Sequence, residues 1–114
     1  MKIERFEDII AWQKAGKLTS EIYSTFSNCS DFCFLNQIRR AVISIMNNIA
    51  EGFERNTNKE FRNFLFIAKG SCAEVRSMLY LAYRLNYINK RQFNETAPLT
   101  IEISKLISGL IKTL

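Results

Sequence analysis

The stretch from Gln37 to Gly52 reads as one helix with two registers. Leu35, Ile38, Val42, Ile45 and Ile49 recur at three- and four-residue steps, which draws a single apolar seam. Ala41, Ser44, Asn48 and Glu51 run beside that seam at the same steps. Such a helix needs two contacts. The seam belongs to a core, and the small, polar row faces another helix or another subunit. Turn-forming residues are scarce, with four Gly and one Pro in 114 residues. Strands need turns often, so a few long helices are the economical solution.

Three further helices follow from the same periodicity. Phe6, Ile9, Ile10, Trp12, Ala15, Leu18, Ile22 and Phe26 predict a first helix over about Glu7–Phe26. Ser27–Asp31 is small and polar and reads as a turn, with Ser30 or Asp31 placed to cap the next helix. The second helix is expected over Phe32–Phe53, with Gly52 as a left-handed stop near its end. Thr57 and Glu60 have capping-box spacing and open a third helix, expected over Asn58–Leu85. Its seam is Phe61, Leu65, Ala68, Cys72, Val75, Leu79 and Ala82, and Asn86 suits a left-handed stop. Asn89 and Gln92 again have capping-box spacing, and Ile103, Leu106, Ile107, Leu110, Ile111 and Leu114 mark the fourth helix. Pro98 falls inside it and predicts a kink or a late start.

Long helices with short connections predict an all-α fold, an antiparallel up-down four-helix bundle in one domain spanning residues 1–114. Helices two and three carry apolar residues over more than one stripe: Phe64, Ile67, Met78, Leu81 and Leu85 widen the arc of the third. Burial of that surplus by a second subunit is the expectation. The interface candidates are Arg40, Ala41, Ser44, Asn48, Glu51, Ser71 and Glu74. Arg39 or Arg40 is expected to pair with Glu51 or Glu74 across a helix interface, since a charge near packed faces needs a partner.

The chemistry the chain lacks is equally informative. It contains no His, which removes the commonest general base and metal ligand together. Bundle-core di-metal sites built on Glu-x-x-His motifs are therefore out of reach. A serine nucleophile has no base, and no Gly-rich phosphate loop is present. Three Cys without an export signal read as small residues, not as a disulfide framework or a metal site. The expectation is a protein that is not an enzyme, with no cofactor and no metal. The charge-mixed segment Met1–Asp8 lacks a signal-peptide core, and no apolar run spans a bilayer, so a cytoplasmic location away from membranes is expected.

Net charge is +5, and it is uneven. Residues 1–56 balance, whereas 57–88 carry five basic against two acidic residues and 89–114 four against two. Arg62, Lys69 and Arg76 are heptad-spaced, so they form one row about a quarter turn from the core seam. Arg55, Lys59 and Arg84 are placed to extend it, and Asn63, Tyr80, Tyr83 and Tyr87 are expected nearby. A basic row with tyrosines suits phosphates and unpaired bases, and it also suits a solvated flank with snorkelling stems.

The chain resembles the small bacterial proteins encoded in intervening sequences of 23S ribosomal RNA genes, often called four-helix bundle proteins. Accessory variability determinants of diversity-generating retroelements look like relatives. The resemblance rests on Phe6–Ala15, Gln37–Ala41, Ser44–Gly52, Glu60–Leu65, Ala68–Ser71 with Glu74, and Leu85–Ile88. The family pattern has Pro near the start of helix two and again at the position of Met46, and frequently Gly at that of Asn86. Met46 keeps its backbone N–H, which predicts a straighter helix two. The resemblance implies a bundle that assembles into a ring, most often a pentamer, and a role near nucleic acid. It does not imply an enzyme. Two readings follow: a homo-oligomer that binds RNA or DNA through its basic surface, or a scaffold that docks a protein partner such as a reverse transcriptase.

Overall fold

The computed structural model describes residues 3–114; Met1 and Lys2 of the charge-mixed N-terminal segment lie outside them. A 3-10 turn, Phe6–Asp8, precedes four helices: α1 (Ile10–Thr25), α2 (Phe32–Phe53), α3 (Asn58–Arg84) and α4 (Lys90–Lys112). Each helix packs against two others in the cyclic order α1, α2, α3, α4. The result is a rod of 43 × 23 × 19 Å. Among the described residues there is no strand, and no helix is long and apolar enough to cross a membrane.

The seams predicted from spacing form the core. Leu18 and Ile22 of α1, Ile38, Val42, Ile45 and Ile49 of α2, Leu65, Val75 and Leu79 of α3, and Ile103 and Ile107 of α4 are fully buried. Contacts along the α2–α3 seam run from Phe53 against Phe61, through Ser44 with Ser71, to Gln37 with Glu74. α1 joins α4 through Lys14 and Glu102, 2.8 Å apart.

Helix α1 starts later than its periodicity predicts. Ile9 is extended (φ −75°, ψ 119°) and only 3% exposed. The break lets Phe6 meet the Trp12 ring at 5.3 Å while Ile9 enters the core. Gln13 Nε2 then donates to the Glu7 carbonyl at 2.9 Å, closing the turn.

The caps follow local chemistry. Thr57 Oγ1 accepts from the Glu60 N–H at 3.1 Å, and Asn89 exchanges reciprocal bonds with Gln92 at 2.8 and 2.9 Å. Each of these two caps contributes about 1 kcal/mol. Asn86 (φ 63°) is the one non-glycine residue with positive φ among those described, and it ends α3. The Tyr87 N–H donates to the Ala82 carbonyl and the Asn86 N–H to that of Tyr83, a Schellman arrangement. Pro98 neither delays nor ends α4, which begins at Lys90. Pro98 is exposed on the surface of the helix.

Gly52 corrects the expectation of a left-handed stop. It is helical, and the cap is Glu54 in ordinary right-handed geometry (φ −80°, ψ −1°). Gly52 serves close approach instead. A Cβ there would lie 2.5 Å from Phe64 Cβ and 3.0 Å from Phe61 Cδ1. The absent side chain is what lets α2 and α3 meet at their shared turn.

Asp31, not Ser30, caps α2. One carboxylate oxygen accepts from the Phe34 N–H at 3.1 Å, and the other accepts from the Tyr87 hydroxyl at 2.7 Å. Phe34 stands edge-on to Tyr87 at 5.3 Å, so the α1–α2 and α3–α4 turns are clasped together. The Tyr87 bond, then the Phe34 N–H, holds the Asp31 carboxyl below its usual 3.8, and the same bond raises the Tyr87 phenol above 10.0. A depressed carboxyl stabilises above its unfolded value and loses that effect as pH falls through the folded one; a raised phenol does the reverse at the alkaline end. The stability difference between the wild type and Tyr87→Phe is therefore expected to be level between those limits. It should shrink below pH 3.8 and above pH 10.0, as read by denaturant midpoints across pH.

Candidate nucleic-acid interface

Arg62, Lys69 and Arg76 are half-buried on one flank of α3. Two contacts fix which flank this is. At one end, Arg62 Nη2 donates to the Leu114 carbonyl just beyond α4. At the other, Tyr83, one heptad past Arg76, meets Phe93 of α4 with ring centroids 5.6 Å apart. The row therefore follows the α3–α4 seam, about 21 Å from Arg62 to Arg76 at 1.5 Å per residue.

Carboxylates are absent from this seam. Glu74 of α3 turns toward α2, where it accepts from Gln37 Nε2 at 3.4 Å. Glu102 of α4 pairs with Lys14 of α1, and Glu95, one heptad earlier on the same flank, pairs with Arg91 at 3.0 Å. Among the described residues none of Arg62, Lys69, Arg76 and Arg84 has an Asp or Glu carboxylate in ion-pair range, and Arg62 is already engaged by the Leu114 oxygen. The stems of the row are half-covered while Lys69 and Arg76 face no Asp or Glu side chain, which suits an anionic partner.

The other basic candidates divide. Arg84 is exposed one turn past Tyr80, and Lys59 is exposed on the outer face at the start of α3. Arg55 is not part of the row: it pairs with Glu51 at 3.1 Å and lies 4.8 Å over the Phe64 ring, on the α2 side. Tyr80 and Tyr83 stand beside the row, 61% and 42% exposed. Tyr87 does not, because its hydroxyl is held by Asp31.

Part of the small and polar row of α2 meets another helix of the same chain. Ala41 is buried, and Ser71 Oγ donates to Ser44 Oγ at 2.9 Å. Asn48 Nδ2 donates to both the carbonyl and the Oγ of Ser44, each at 2.8 Å. The Ser71–Ser44 bond knits α2 to α3, the Asn48 bonds stay within α2, and Ser44 and Asn48 are still half-buried. Arg40, Glu51 and Glu74 are exposed at the rim. The ion pair expected of Arg39 or Arg40 with Glu51 or Glu74 is not formed within the chain. Arg39 instead lies 4.6 Å over the Tyr23 ring, with its Nε buried and without a hydrogen-bond partner among the described residues. A stacked guanidinium keeps its charge without a carboxylate, which the spacing of acidic residues cannot reveal.

Surplus apolar surface belongs to α3. Phe66, Ile67, Tyr80, Leu81, Tyr83 and Leu85 are exposed there, whereas α2 exposes only Phe32 among its large apolar residues. Cys72 is buried against the core, and burial pushes its thiol up to about 12 despite the opposing charge of Arg76. A thiol so protonated is a packing group, not a nucleophile. No group of three or more His, Cys, Asp or Glu is gathered for a metal ion among the described residues.

This fold has solved counterparts. A protein of unknown function from the S23 ribosomal protein family of Bacteroides thetaiotaomicron matches with a TM-score of 0.85 and 28% identity, over 90% of this chain and 99% of that one. Its description names no enzymatic activity. Among curated proteins no match is found. The family model for the 23S rRNA-intervening sequence protein matches residues 7–109, which takes in all four helices except the last residues of α4. The chain belongs to the 23S rRNA-intervening sequence protein family.

Proposed function

We propose that this protein is a non-enzymatic, cytoplasmic, antiparallel up-down bundle that assembles into a homo-oligomeric ring and binds RNA or DNA along the α3–α4 seam. One observation carries the reading. Arg62, Lys69 and Arg76 line a seam from which both neighbouring helices turn their carboxylates away. Phosphates would displace little and release condensed counterions from the nucleic acid. The family name, which refers to 23S rRNA, agrees with such a partner without assigning it. The exposed Ile67, Leu81 and Leu85 on α3 support self-association. Five subunits is the number the family resemblance implies. A ring would repeat the seam and add avidity to weak contacts.

The same exposed α3 side chains favour a second reading, a scaffold that docks a protein partner such as a reverse transcriptase, with charge used for steering. Salt dependence separates the two. Replacing Arg62, Lys69 and Arg76 together by Ala should lower the slope of log K against log salt by about 2 for a single strand, or nearly 3 for duplex DNA. Fluorescence polarisation with labelled RNA and DNA reads this directly. Absence of salt-dependent binding to any of them would hand the function to the scaffold reading.

A further inference from the structure

We infer that Tyr80 and Tyr83 form a stacking platform for unpaired bases, so that the α3–α4 seam takes single-stranded nucleic acid in preference to duplex. The inference rests on the nucleic-acid reading above and specifies its ligand.

The three tyrosines at this end of α3 differ in what the fold asks of them. Tyr87 has its hydroxyl on Asp31 and its ring against Phe34, so it is structural. Tyr80 and Tyr83 have no hydroxyl partner among the described residues, yet both rings pack on Phe93. Phe93 meets Tyr80 at 4.9 Å with an interplanar angle of 62°, and Tyr83 at 5.6 Å and 41°. Phe93 is itself held in the first turn of α4 by the Asn89–Gln92 capping box. Tyr80 and Tyr83 nonetheless remain 61% and 42% exposed. Two large rings thus rest against Phe93 but are left partly in water. Little side-chain freedom remains to be lost when a ligand stacks on them.

Their position relative to the cations matters as much. Tyr83 occupies the next heptad position of the Arg62–Lys69–Arg76 row, and Tyr80 lies one turn from both Arg76 and Arg84. One turn is about 5.4 Å along the helix. A strand whose phosphates follow the row is thereby brought to the rings with its bases within reach. No Asp or Glu side chain among the described residues stands in the seam to repel it. A duplex satisfies the phosphate row equally well, but its bases are stacked on one another and offer only their edges in the grooves. Reaching the rings would require a base to be flipped out, at a cost of a few kcal/mol. Stacking on tyrosine is tolerant of sequence, because every base has a π-face. The platform therefore selects strandedness and not sequence.

The test uses the full chain and three labelled DNA probes of about 12 nucleotides, within the range of single-strand site sizes. These are oligothymidylate, the same backbone made abasic, and a duplex of equal length, each titrated across salt concentrations. The intact strand should bind about ten- to a hundredfold more tightly than its abasic counterpart, with the same salt slope. Tyr80→Leu with Tyr83→Leu should remove that difference and leave abasic binding unchanged, while Tyr80→Phe with Tyr83→Phe should restore it. Thermal melts of both double variants verify that the bundle is intact. Equal binding of intact and abasic strands, or tighter binding of duplex, would overturn the platform and leave the phosphate reading standing. No binding of any probe would remove both.

Discussion

Replacing Gly52 by alanine should destabilise the protein by about 1–3 kcal/mol, the range for overpacking a well-filled site. The sign is what makes the experiment decisive. In an exposed helix interior the same change gains up to about 1 kcal/mol, because glycine is the more flexible residue in the unfolded chain. At Gly52 the new methyl would meet Phe64 Cβ at 2.5 Å and Phe61 Cδ1 at 3.0 Å. The first of these atoms is anchored to the α3 backbone and cannot swing aside, so the helices must separate. Gly70 and Gly109 are the internal controls, since a Cβ at either meets nothing within 4 Å. Alanine there should hold or raise the melting temperature. Gly52→Ala should lower it by on the order of 10 °C, at the sensitivity expected for a domain of this size.

A larger loss is expected from Leu79→Ala, and its neighbour Leu81 shows why location matters more than residue type. Leu79 is fully buried in the core, so truncation should cost about 2–5 kcal/mol through lost transfer energy and the cavity left behind. Leu81 lies two residues on, 44% exposed on the outer side of α3 about one turn from Leu85. Within a single chain its truncation should change stability by roughly 0.5 kcal/mol or less. If self-association covers that flank, Leu81→Ala should cost more, and its effect should depend on protein concentration. Denaturant unfolding at two protein concentrations, with light scattering on the same samples, distinguishes these results. A concentration-independent midpoint for Leu81→Ala and a monomeric wild type would count against the ring.

What was readable in the sequence was local. The limits of α2, its cap narrowed to Ser30 or Asp31, the caps at Thr57 and Asn89, and the left-handed Asn86 all depend on residues within one turn of each other. So did the α3 seam, whose seven predicted positions are all buried. Features set by distant neighbours were not readable. Gly52 suits a left-handed stop and a close crossing equally well until Phe64 is known to lie opposite. The α1 start was misjudged because docking of Phe6 on Trp12, not propensity, decides it. Ser44 suits another helix or another subunit equally well from its spacing, and only the bond from Ser71 shows that it meets α3, whereas Asn48 bonds within α2. The candidate site was half visible. Heptad spacing gave the Arg62–Lys69–Arg76 row, but the seam's lack of acid depends on Glu102 reaching Lys14 across the bundle. Tyr80 and Tyr87 are the same letter seven residues apart, and their distant partners, Phe93 for one and Asp31 with Phe34 for the other, set them apart.

The two flanks of α3 have a consequence for how such a protein can change over time. One flank carries Ser71 and Glu74 toward α2, and the other carries Lys69 and Arg76 toward α4. They share a backbone but no side-chain partner in the contacts described. A lineage can therefore redraw the cationic flank, adding or removing charges to suit a new polyanion, without retuning the hydroxyl and amide bonds that join α2 to α3. Drift on one side is shielded from the other by the buried seam between them. A helix built this way lets ligand preference evolve at little risk to folding.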